Sequence, residues 1–259
     1  SVLLCKAEDS ESCLTAPQLE TLRQIYDGVA DTKGQKIFPG YTPGAEMSKG
    51  GWIDWITGKQ PGTSILAFFG SQYFSNMVYS QPNWDYKSFH IDDAVKMADE
   101  KTAQALNATN PDLHAFANRG GKLILYHGWS DAAIPAMNTI QYYRQVQSVM
   151  GRKKTDSFSR LFLVPAMQHC SGGDAPNTFG QDGHSARSAP DRDIYAALER
   201  WVEKGTAPSH IIAVKHENNN PSAPITMSRP LCPFPLIAKY KGSGNTNEAT
   251  NFVCAADKN

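Results

Sequence analysis

The sequence predicts an α/β chain: part of a helix-covered parallel sheet, preceded by a loop-rich segment dense in aromatic rings. Three observations carry this. From about residue 119 onward, short apolar runs of strand length alternate with amphipathic helical stretches, the pattern of a parallel sheet covered on both faces. Between residues 50 and 90, Gly, Pro, Ser and Asn alternate with many Trp, Tyr and Phe residues and keep no long period. The chain has 259 residues, 41% hydrophobic and 19% charged, an ordinary globular composition with enough length to bury a core.

Taken in order, the first predicted element is a helix over 14–30. Thr15 caps it, Pro17 suits its first turn and Gln18 completes a capping box. Leu19, Leu22, Ile25, Tyr26 and Val29 form its apolar stripe. Gly34, Pro39, Gly40, Pro43 and Gly44 then mark loop. The aromatic stretch 50–90 reads as a loop-rich cap whose rings pack a small core or line a binding surface. A helix follows over 92–108, with Asp92 or Asp93 near its start.

The second half opens with a strand over 122–127 after Gly120-Gly121. A helix over 136–150 turns Ile140, Tyr143, Val146 and Met150 to one face, and 160–164 is a second apolar strand. A helix over 191–204 follows Pro190, with Ile194, Leu198, Trp201 and Val202 inward, and 211–214 is a candidate third strand. Residues 217–259 are rich in Pro, Asn and Gly. The boundary near 110–120 thus divides a lid, 1–118, from part of a sheet domain, 119–259. Two or three parallel strands are few for a free-standing doubly wound domain, so more sheet is expected upstream.

Lys+Arg and Asp+Glu are equal at 25 each, which leaves no electrostatic footprint for nucleic acid or an anionic membrane. The apolar runs at 65–70 and 161–164 are too short to span a bilayer. The chain does not open on a charged and apolar leader; a removed signal peptide or a start inside a longer protein is expected. There are five cysteines. Cys5–Cys13 and Cys232–Cys254 would each close a short local loop, as suits a secreted or periplasmic protein. Five reduced, buried cysteines in a cytosolic chain is the alternative. Cys170 is left over. Its odd number means a reactive thiol, an intermolecular bridge or a partner outside the chain. The sequon at Asn107 fits secretion.

Two loops follow strands directly: His127-Gly128-Trp129-Ser130-Asp131-Ala132-Ala133-Ile134-Pro135 and Pro165-Ala166-Met167-Gln168-His169-Cys170-Ser171-Gly172-Gly173. Ligands of open parallel sheets bind at the carboxyl ends of strands. Asp131 and His169 are placed there, and a carboxylate that holds an imidazole Nδ1–H makes Nε2 a general base. In α/β-hydrolases the triad runs nucleophile, acid, histidine, and Asp131 before His169 fits the last two members. Taken singly, an Asp after a strand is a turn or cap residue and a lone His is solvated. His127 is read as shaping the floor of the site. His90, His114, His184, His210 and His216 lie in polar loops or at element edges.

No Gly-x-Ser-x-Gly elbow occurs. Ser130 in Gly128-Trp129-Ser130-Asp131-Ala132 comes nearest but has only Asp156, in a polar loop, between it and His169 as an acid. Ser71 lacks the second glycine, and Ser171 reads as a turn residue. None of these serines fits the place of the nucleophile. No H-E-x-x-H or carboxylate cluster suggests a metal, and no glycine-rich phosphate loop is present.

These residues resemble the tannase/feruloyl esterase family. The matching stretches are Cys13-Leu14-Thr15 with the helix ending Ile25-Tyr26-Asp27-Gly28, the loop His127 to Asp131, and above all Pro165 to Gly173 with its His169-Cys170 pair. The resemblance covers nearly the whole chain but only the C-terminal part of the family's length. It implies an α/β-hydrolase fold whose lid is inserted before the acid. It further implies an upstream Cys-Ser elbow whose cysteine bridges to Cys170, lid and C-terminal disulfides at Cys5–Cys13 and Cys232–Cys254, and a calcium loop upstream of residue 1, hence no cofactor in this chain. The implied activity is hydrolysis of a small aromatic ester of feruloyl or galloyl type. Phe68, Phe69, Tyr73, Phe74 and Ile134 are the expected acyl-group wall, with ordinary lid packing as the alternative for the rings. Two other readings stand beside the enzyme: a non-catalytic subunit or fragment of a two-chain esterase, and an aromatic-ligand-binding module built on residues 1–118.

Overall fold

A computed structural model of the chain describes residues 3–6, 9–10, 12–182 and 189–257; His184 lies outside them. Thr15 opens α1 (Ala16–Asp27) through the predicted capping box: its hydroxyl accepts the Gln18 N–H, and the Gln18 side chain accepts the Thr15 N–H at 2.8 Å. Gly28 stops the helix with φ 81°, so Val29 leaves the predicted helical stripe. It enters a short antiparallel pair, β1 (Val29–Ala30) with β2 (Lys36–Phe38).

The aromatic stretch is more helical than expected. A π turn at Ile53–Thr57, α2 (Ile65–Gln72) and a second π turn at Tyr73–Val78 run through it. Each π turn inserts an extra residue per turn, so the apolar positions never repeat at 3.6 and no helical period is visible. α3 (Ile91–Ala98) likewise runs through a π turn at Asp99–Ala103 into α4 (Gln104–Leu106), and α5 (His114–Asn118) follows.

The C-terminal portion begins with β3 (Leu123–Gly128), then α6 (Ala136–Met150), α7 (Arg152–Phe158) and β4 (Ser159–Val164). Asp156 lies in α7, not in a loop. β3 and β4 run parallel, with Leu123 opposite Ser159 and Gly128 opposite Val164. Their alternation buries both faces. Ile124, Tyr126, Phe162 and Val164 meet Ile194 and Ala197 of α8 (Ile194–Lys204), while Leu125, Leu161 and Leu163 meet Ile140 and Tyr143 of α6. Val202 points outward, 59% exposed, and Ala197 takes the inward place instead.

β5 (Ile211–His216) does not extend the parallel pair. It forms a hairpin with β6 (Ile225–Leu231), and the Pro-, Asn- and Gly-rich tail also holds β7 (Ile237–Tyr240) antiparallel to β8 (Phe252–Ala255). A hairpin partner arrives within a few residues, whereas a parallel partner needs a crossover. Disulfides join Cys5 to Cys13 and Cys232 to Cys254. Cys170 is exposed with a free thiol among the described residues. No helix there is long and apolar enough to cross a membrane.

Candidate functional site

Because β3 and β4 are parallel and in register, the loops that follow them leave the same end of the sheet. They are laced together by backbone: the Trp129 N–H donates to Val164 O at 2.9 Å and the Ser130 N–H to Met167 O at 3.0 Å. Gly128 permits this approach, since a Cβ there would lie 2.4 Å from Met167 O.

The result is a buried carboxylate facing an imidazole. Asp131, 7% exposed, places Oδ2 3.0 Å from His169 Nδ1. Its Oδ1 accepts the backbone N–H groups of Ala133 and Ile134 at 2.8 and 2.9 Å. His127 Nε2 stands 3.4 Å from the same Oδ2 and 2.9 Å from Ile134 O, while its Nδ1 pairs with the Thr139 hydroxyl at 2.7 Å. The Ile134 carbonyl can only accept, so His127 Nε2 carries a proton. Burial opposes the charge of Asp131, but hydrogen bonds from His127, Ile134, His169 and Ala133 outweigh it and hold the carboxyl below its usual range. Burial also opposes charging of His127, yet its bonds to Asp131 and Ile134 raise it above the ordinary imidazole value.

The histidine loop is held in an uncommon shape. Ala166 and Cys170 both take positive φ, 55° and 64°, a left-handed conformation costly for side chains with a Cβ. Gly173, at φ 98°, admits no Cβ because Ala166 O would lie 1.8 Å away. Its carbonyl accepts from Asn177 Nδ2 at 3.2 Å, Asn219 Nδ2 at 3.3 Å and the Lys215 ammonium.

Residues 1–118 close on these loops. The Trp55 ring meets the His169 imidazole edge-on at 5.1 Å, and Ser48 Oγ donates to Asp174 Oδ2 at 3.1 Å. Thr42 donates to Trp129 O, and Tyr41 donates to Ala133 O at 3.3 Å. Burial, reinforced by the charge of Asp131, pushes Tyr41 up to about 12. Ala132 of the acid loop shares an apolar cluster with Ala45 and Trp52.

Of the expected acyl-wall residues, Ile134 adjoins Asp131 and is 43% exposed. Phe68 and Phe69 are 61% and 57% exposed and stack edge to face. Tyr73 bonds Thr102, and Phe74 packs among Tyr73, Tyr79, Trp84 and Phe89. Phe74 also lines a cavity of about 470 Å³ that reaches Ile56 and Thr57, next to Trp55. Among the alternative serines, Ser71 Oγ donates inside its own helix to Ala67 O at 2.7 Å, and Ser130 is buried. Among the described residues no hydroxyl or thiol is hydrogen-bonded to His169 Nε2. His114 pairs with Asp112 and His216 with Ala223 O, away from this pair. Thr139 and Trp55 join the site without a motif to announce them.

A calcium ion needs six to eight oxygen ligands, carboxylates prominent among them. Among the described residues no group of three or more His, Cys, Asp or Glu side chains is arranged to hold a metal ion.

The model of the family described as tannase and feruloyl esterase matches residues 1–255. An uncharacterized esterase of Xanthomonas campestris is 37% identical over 283 residues, covering 98% of this chain and 48% of that protein. A probable feruloyl esterase B-2 of Aspergillus flavus is 33% identical over 238 residues, covering 90% of this chain and 44% of that protein. The crystal structure of feruloyl esterase B from Aspergillus oryzae superposes with a TM-score of 0.84 at 27% identity, covering 98% of this chain and 49% of that one. The chain therefore spans about half the length of the curated relatives it matches.

Proposed function

The chain belongs to the tannase and feruloyl esterase family and has an α/β-hydrolase fold, and from that premise we propose that it supplies the acid and the base of a serine carboxylic ester hydrolase. The observation that carries this is the Asp131–His169 pair, 3.0 Å apart at the carboxyl end of a parallel strand pair. In this reading His169 Nε2 takes the proton of a serine hydroxyl as the oxygen attacks the ester carbonyl. Asp131 keeps the proton on Nδ1 and stabilises the imidazolium. The imidazolium returns its proton to the departing alcohol, leaving an acyl-enzyme that water, activated by the same nitrogen, releases as the acid.

The serine comes from a segment outside these residues. Three features favour this. His169 Nε2 has no hydroxyl partner among the described residues. β3 pairs on one edge only there, with β4. Cys170, exposed beside the base, is placed to tie that segment down by a disulfide. Residues 1–118 act as the lid, and the contact of Trp55 with His169 supports that role. Relatives named as feruloyl esterases favour a small aromatic acid on the acyl side, with Ile134 and the rings of Phe68, Phe69, Tyr73 and Phe74 as its wall. Any calcium is bound by the missing segment. Two disulfides favour export to an oxidising compartment.

The test joins the chain to its upstream half and follows methyl ferulate hydrolysis. His169→Ala is expected to abolish turnover while binding of ferulate persists. Undiminished hydrolysis would remove His169 from the mechanism. Mass analysis of the native protein under non-reducing conditions separates the single long chain from a two-chain enzyme linked through Cys170.

A further inference from the structure

Asp131 has two imidazoles on one oxygen, and only one belongs to the proposed proton relay. A carboxylate offers about four acceptor sites, two per oxygen. Oδ1 spends its two on Ala133 and Ile134, and Oδ2 faces His169 Nδ1 at 3.0 Å and His127 Nε2 at 3.4 Å. With three of these sites hydrogen-bonded and the fourth facing His127 Nε2, rotation about the carboxylate's last bond is restrained. His127 is itself pinned from three directions: it lies in β3 one residue before the strand's end, its Nε2 donates to Ile134 O of the acid loop, and its Nδ1 meets Thr139 in the first turn of α6. Its side chain is 12% exposed and that of Asp131 6%, against 34% for His169. His127 is thus the more buried of the two imidazoles.

We propose that His127 is a positioning residue: anchored by Thr139 and Ile134, it fixes Asp131 Oδ2 in line with His169 Nδ1. This rests on the reading of Asp131 and His169 as acid and base, and it assigns His127 no contact with substrate. Its effect runs through the strength and lifetime of the Asp131–His169 hydrogen bond.

The experiment reads that bond in the chain itself, labelled with ¹⁵N-histidine. The wild-type spectrum is expected to contain a downfield, exchange-protected Nδ1 proton that His169→Ala removes. His127→Leu is expected to speed its exchange about tenfold, the weight of one hydrogen bond to a charged group. His127→Gln, which keeps a donor near the Nε2 position, restores most of the protection. Thr139→Val preserves shape while freeing His127 Nδ1, and it moves the exchange in the same direction. It carries the test should His127→Leu fail to fold. With the upstream half present, His127→Leu lowers kcat on the order of tenfold and leaves KM unchanged. A folded Thr139→Val or His127→Leu chain with wild-type exchange would overturn the role of His127 alone. A wild-type chain with no protected His169 proton would overturn the Asp131–His169 pairing, and the role of His127 with it.

Discussion

The Asp131 carboxylate reaches His169 Nδ1 at 3.0 Å across a sequence separation of 38 residues, held there by two strands that end level with one another. Asp131→Asn tests what that contact does. The amide keeps an oxygen for the Ala133 and Ile134 N–H groups, so the loop retains its shape. Its NH₂ cannot accept the Nδ1 proton, so His169 is driven to the wrong tautomer. In the enzyme completed by its upstream half, kcat is expected to fall by about 10⁴-fold, with little change in KM. Wild-type kcat in this variant would show that the carboxylate does not orient the base.

Gly128→Ala tests how closely the two loops must approach. The added methyl would lie 2.4 Å from Met167 O and 2.6 Å from Gln168 O. These are backbone atoms and cannot swing aside. The histidine loop must move out, at a cost of about 1–3 kcal/mol by analogy with overpacked cores. Denaturant melts should show the loss, and the protected His169 proton should disappear with it. A variant as stable as wild type would mean that the loops are not tightly laced.

These residues differ in how far the sequence betrays them. Asp131 and His169 are legible because each closely follows a short apolar run, and parallel strands direct their carboxyl ends to the same side of the sheet. The two faces of β3 and β4 are legible for the same reason, since Leu125 and Tyr126 must point opposite ways. Thr139 is silent: a threonine in a helix looks the same whether or not a histidine from a neighbouring strand meets it. Trp55 is hidden among other rings, and the π turns around it erase the helical period. The partner of β5 was open too, because residues 211–214 read alike in a parallel or an antiparallel sheet.

The two disulfides should differ in weight. Cys232–Cys254 closes a separation of 22 residues and Cys5–Cys13 one of 8. In the chain-entropy account the longer loop gains more, about 3 kcal/mol. It also ties the end of β6 to β8, and Cys232 is buried. The double substitution Cys232→Ser with Cys254→Ser should therefore lower the melting temperature more than Cys5→Ser with Cys13→Ser. Equal shifts would show that neither loop length nor burial sets the weight of these two disulfides.

His127 and Asp131 depart from their ordinary values in opposite directions, and this fixes the sign of a pH effect on stability. Asp131 is lowered in the folded chain, so its contribution is complete above the unfolded carboxyl value of about 3.9 and fades as pH falls through the folded value. His127 is raised, so its contribution is complete below the unfolded imidazole value of about 6.5 and fades as pH rises through the folded one. Both contributions coexist only in the window between. His127→Gln keeps a donor but cannot titrate. Its melting temperature should therefore fall furthest below that of wild type near about pH 5.5 and approach it near about pH 8.5. The other groups facing this pair are His169, which shares Oδ2, and Tyr41, whose hydroxyl bonds Ala133 O. Tyr41 is pushed up to about 12 and stays neutral across the range. The pH trend should survive His169→Ala made in both backgrounds. A gap between His127→Gln and wild type that widened from acid to alkaline pH would reverse the sign and show that Asp131 does not favour the charged form of His127.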